Sequence, residues 1–150
     1  MAKTSGLRAA AAATPLNGET VEANGVDVFI GPLSVAQLFM LAGDFKSVEN
    51  LVNRLIAGEE LTEKDVLAAL LKDGAEGAAA MIVMAAREGR NKDLREALLQ
   101  FPDDDFFGLL SATVRRTAPN GIQELFDRAI RFLSVMQGRV TDAEQDAVPA

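Results

Sequence analysis

A chain of 150 residues with a formal net charge of −7 is long enough for one domain with its own hydrophobic core. It is too acidic for a broad phosphate-binding surface, where Lys and Arg must do the neutralising. It has no Cys and no His. That excludes disulfides, thiolate metal sites and cysteine nucleophiles, along with the commonest general base and zinc ligand. Phe is the only aromatic residue, so the core must be built mainly from Leu, Val, Ile, Ala and Met.

Residues 1–18 are rich in Ala, Thr, Gly and Pro and show no usable periodicity. They read as a disordered tail. Lys3 and Arg8 stand before Ala9–Ala13, but this apolar run is too short and too weakly hydrophobic for the core of a secretory signal. The most apolar internal stretch, "AEGAAAMIVMAA", falls short of the ~20 residues that a membrane span needs. A cytosolic protein with no membrane contact is expected.

In "TVEANGVDVFI", Asn24-Gly25 is the favoured pair for a two-residue type I′ turn. That turn pairs Ala23 with Val26 and Val21 with Val28. Val21, Ala23, Val26, Val28 and Ile30 then share one face; Thr20, Glu22, Asp27 and Phe29 share the other. Pro32 ends the hairpin.

Ser34 and Gln37 form a capping box, with Leu33 and Leu38 at the positions of a hydrophobic staple. Val35, Leu38, Phe39 and Ala42 continue at helical spacing as far as Gly43. A second helix is predicted from about Asp44 to Gly58. A third starts at Thr62, with Leu61 and Val66 as its staple. Residues 75–88 form a fourth, apolar almost all round, which is the pattern of a central helix. A short fifth runs from Asn91 to about Gln100, and a sixth from Asp103 to near Arg116. The seventh starts at Asn120, with a clean stripe of Ile122, Leu125, Phe126, Ala129, Ile130 and Leu133. Residues 141–150 read as an acidic flexible tail. The expected fold is mostly α: a compact bundle of about six or seven short helices after an N-terminal β-hairpin, spanning residues 19–140.

Few motifs carry chemistry. Asp103, Asp104 and Asp105 offer hard-metal oxygens, but neighbouring side chains on a helix diverge. Acids in a first helical turn also suit the helix dipole, which is the stronger reading. Arg115-Arg116 could contact a partner or an anion, although cations are favoured in a last helical turn anyway. Phosphate-loop spacings are absent. Met81 and Met84 suit a core first, because Met fills irregular gaps; the second reading is an adaptable apolar surface for another chain. Phe106 and Phe107 point about 100° apart on a helix, so one small core cannot easily hold both. Met81, Met84, Phe106 and Phe107 are therefore the candidate partner-binding residues. No catalytic, metal or cofactor residues are proposed.

Two segments carry a family resemblance. "VDVFIGPLSVAQL" gives a short strand, a Pro-Leu step and a helix with Gln-Leu. "LLKDGAEGAAAMIVMAAREGRNKDLREALLQFPDDDFFGLLSATVRRTAPNGIQELFDR" gives a Leu-Leu step, an Ala-rich apolar helix, a polar break, another apolar helix and an Asn-containing step into a final Phe-bearing helix. Over roughly residues 26–133 the chain resembles the tail assembly chaperones of long-tailed bacteriophages.

The resemblance implies a non-enzymatic protein of the infected host cytoplasm. It would bind the long tape measure protein, keep it soluble and help recruit tail tube subunits during tail morphogenesis. It would be absent from the finished virion. A homo-oligomer is expected if the apolar candidates are exposed. The alternatives are a structural tail or head-completion component that stays in the virion, and a helical adaptor module with no phage role. An enzyme is disfavoured by the missing His and Cys.

Overall fold

The computed structural model describes residues 6–13, 17–72 and 74–147. In chain order the elements are α1 (Gly6–Ala13), β1 (Glu19–Ala23), β2 (Val26–Ile30), α2 (Val35–Asp44), α3 (Lys46–Ile56), α4 (Glu63–Leu71), α5 (Glu76–Ala85), α6 (Lys92–Leu98), α7 (Asp103–Thr117) and α8 (Ile122–Ala147). The fold is mostly helical with a two-stranded antiparallel hairpin, as the residue pattern requires.

The hairpin has the predicted register, with Ala23 opposite Val26 and Val21 opposite Val28. Asn24 and Gly25 both take positive φ, at 51° and 77°, as a type I′ turn demands. Ala23 and Ile30 are buried and Val21 and Val28 half-buried, whereas Val26, beside the turn, is exposed. On the opposite face Phe29 is covered by the Arg87 guanidinium, 5.5 Å from its ring centre.

The hairpin lies along α7 and is tied to it at both ends. At the turn, the Asn24 N–H donates to Asp105 at 3.3 Å. At the other end Glu19 accepts from Arg115 at 3.1 and 3.2 Å and from Arg116 at 3.3 Å. Between these ties, Val21 passes over Gly108. The Gly31 N–H donates to the Ala85 carbonyl, joining the end of β2 to the end of α5. The buried Leu33 N–H donates to Thr117 Oγ1 at 3.1 Å.

Side-chain caps mark the starts of α2 and α4. Ser34 and Gln37 form the reciprocal box before α2. Thr62 and Asp65 form a second one before α4. The Thr62 N–H bonded to the Asp65 carboxylate, followed by the Thr62 hydroxyl, holds the Asp65 pKa below the ordinary carboxylate value. Gly58 ends the α3 segment at φ 78°.

Helix α5 is the centre of the bundle, buried on every side from Gly77 to Ala85. It crosses α3 at Gly77, where a Cβ would run into the Ser47 hydroxyl and approach Val48 Cγ2 to 3.2 Å. An all-apolar helix needs walls all round, and α3, α4, α6, α7 and β2 supply them. The amphipathic α8 is peripheral. It lies against α2 and α3 through Leu125 and Ala129, and Phe132 stacks on Phe39 with ring centres 5.6 Å apart.

Two boundaries differ from the sequence reading. Helix α1 falls inside the expected N-terminal tail, because a run of alanines has high helix propensity without any hydrophobic period. Helix α8 continues to Ala147, through most of the expected C-terminal tail. The tail reading of residues 1–5, 14–16 and 148–150 lies outside the described residues.

Candidate functional site: an apolar groove between α6 and α7

Two short segments build an open apolar groove. Asn91 caps α6 by accepting from the Leu94 N–H at 3.2 Å. The helix then ends at Leu98-Leu99, an adjacent apolar pair whose members cannot both point inward. Leu98 is buried and Leu99 remains 39% exposed. Pro102 sets the start of α7, where Phe106-Phe107 repeats the situation. Phe106 is buried, and Phe107 is 46% exposed.

Leu99, Phe101, Phe106 and Phe107 line a groove of about 190 Å³ with Leu71 and Ala75 behind them. Asp103 stands on its rim. Asp104 is exposed beside it in the same helical turn, while the Asp105 carboxylate receives the Asn24 N–H. The groove is therefore apolar inside with a negative edge.

Of the four residues singled out from sequence, Phe106 and Phe107 meet in this groove. Met81 and Met84 do not belong to it. Both are buried in the core, as is most of Phe106, so the partner-binding reading of the Met pair is corrected. The physical reason is the position of α5: surrounded on all sides, it has no face left for a second chain. Leu71, Leu99 and Phe101 were missed. The Leu98-Leu99 doublet in a seven-residue helix was the available signal.

Arg115 and Arg116 do not form an anion site either, since both engage Glu19. A second hollow, between α2, α5 and α6, contains Arg90, Arg95, Asp44 and Phe45. Its charges are largely matched internally: Arg90 lies 3.6 Å from Asp44, and Arg95 sits 5.1 Å above the Phe45 ring. A void of about 30 Å³ under the start of α8 has only hydrocarbon surface and reads as a packing defect.

Among the described residues no group of acidic side chains is arranged to hold a metal ion. Among them, too, no helix is long and apolar enough to cross a membrane. No family model, curated protein or solved structure matches the chain.

Proposed function

We propose that this protein is a tail assembly chaperone of a long-tailed bacteriophage, which takes amphipathic helical segments of the tape measure protein into the α6–α7 groove. The observation that carries the site is the pair of exposed apolar side chains, Phe107 and Leu99, flanking a preformed hollow. A helix laid there would be read through anchors at i, i+3, i+4 and i+7. The resemblance over roughly residues 26–133 supplies the identity of the partner.

Covering exposed apolar stripes on a long chain before assembly keeps it from aggregating, and release would let tail tube subunits take over. The protein would then act in the host cytoplasm and be left out of the particle. Burial, rather than charge pairing, drives such binding, so it should survive moderately high salt.

The test is co-expression with a candidate tape measure protein from the same genome, with and without Phe107→Asp and Leu99→Asp. Both side chains are exposed enough for these changes to spare the fold. The proposal expects a soluble partner with the native chain and an aggregated one with the double variant. Equal solubility without this protein rejects the function. Equal solubilisation by the double variant rejects the groove. Finding the protein in purified virions by mass spectrometry would favour a structural component instead.

A further inference from the structure

We infer that the hollow between α2, α5 and α6 binds a small carboxylic acid with an apolar body. Its floor is hydrocarbon: Leu41 from α2 and Ala80 and Val83 from α5 are all buried, and the half-buried Phe45 joins them. Its rim is polar, with Asp44 at the end of α2, Gly89, Arg90 and Asn91 in the connection after α5, and Arg95 on α6.

The matching of charge around this rim is incomplete. Two guanidiniums against one carboxylate leave one positive charge, in a chain whose formal net charge is −7. The unmatched group is Arg95. Its guanidinium is held 5.1 Å above the Phe45 ring. That contact occupies a face of the planar group and none of its five N–H donors. Among the described residues no protein acceptor takes a hydrogen bond from Arg95. The N–H groups of Gly89, Arg90 and Asn91 meet no backbone acceptor among them either. Arg90 is tied to Asp44 only loosely, at 3.6 Å, with the two side chains 56% and 47% exposed. Such a pair contributes little and opens readily. It also shows that a carboxylate can sit at this edge of the hollow.

Size and charge together select the ligand. The volume is about 260 Å³, below the roughly 300–1,000 Å³ of drug-sized sites. One surplus positive charge matches a monoanion, and a guanidinium fork matches a carboxylate through two parallel hydrogen bonds. The apolar floor requires hydrocarbon behind the carboxylate, which an inorganic anion lacks. A free aryl or alkyl acid and the apolar last residue of a peptide share this chemistry. The hollow is separate from the α6–α7 groove, and the inference does not depend on the tape measure reading.

The test is titration of the full chain with phenylacetate, followed by two-dimensional amide NMR. The amides of Gly89, Arg90 and Asn91 should shift saturably, with a dissociation constant in the millimolar range that weakens as salt rises. Phenylacetamide, which has the same shape without the charge, should leave them unmoved. Arg95→Gln should weaken binding about tenfold or more. Asp44→Asn frees Arg90 and removes the competing carboxylate, so it should tighten binding several-fold, a gain that no misfolded variant can imitate. No saturable shift with phenylacetate, equal shifts with phenylacetamide, or unchanged affinity in either variant overturns the inference. An acetylated dipeptide ending in Phe separates the two sources of the carboxylate. Tighter binding than phenylacetate supports a chain end, and weaker binding supports a free small acid. Its C-terminal amide must fail to bind, and equal binding of amide and acid would again overturn the site.

Discussion

Thr117 is the residue on which three segments converge. Its hydroxyl accepts from the buried Leu33 N–H, and its carbonyl accepts from Arg128 on α8. Thr117→Val keeps the shape and removes the acceptor, leaving a buried N–H without a partner. The expected loss is about 1–3 kcal/mol in denaturant unfolding, with Thr117→Ser retaining most of the stability. Asp65 gives a pH prediction. Its pKa is lowered in the folded state, so its contribution is fully present above the unfolded value of about 3.9 and disappears as pH falls through the folded value. The start of α4 should fray in acid, and Asp65→Asn should flatten that part of the pH–stability curve. An unchanged acid limb in Asp65→Asn would contradict the cap. The Ser34–Gln37 box was legible because it matches the common motif. The Thr62–Asp65 box was not, since its third-position acid is shorter than the usual Glu or Gln.

At the scale of elements, the hairpin and α8 make opposite demands on packing. The turn needs positive φ at Gly25, which a β-branched residue resists. Gly25→Val should destabilise the hairpin by about 1–3 kcal/mol while the helical circular dichroism persists. Unchanged strand signals in NMR would count against that. Along α8, burial falls from Leu125 and Ala129 to residues 134–138, which are exposed. Leu125→Ala should cost about 2–5 kcal/mol, and the exposed Met136→Ala less than about 0.5 kcal/mol.

Periodicity made these elements legible, because a turn pair, a cap and a stripe are all local. The stripe of α8 was legible but its depth was not: an amphipathic stripe marks a helix with one covered face, and only Leu125 and Ala129 of this one are buried. The ties of Arg115 and Arg116 to Glu19 join residues more than ninety positions apart, and no local pattern announces them.

Across the whole molecule, the centre is fixed by α5 and the candidate site by what α5 leaves uncovered. The sequence showed more large apolar residues in the fourth and sixth helices than one face needs, but not which would lose the competition for the interior. Met81 and Met84 went inside because their helix is enclosed; Phe107 stayed outside because Phe106 took the inward direction.

In the proposed complex a helical chain lies over the exposed apolar side chains of α6 and α7, Leu99 and Phe107. Hydrogen exchange of the 150-residue chain, with and without a soluble fragment of the tape measure protein, tests this binding. The amides of the first turn of α7 lack intrahelical acceptors and exchange readily until covered. The account predicts slowed exchange from Leu98 to Phe107 on binding, and none of that slowing in Phe107→Asp. Binding without protection there, or protection confined to other helices, would contradict it.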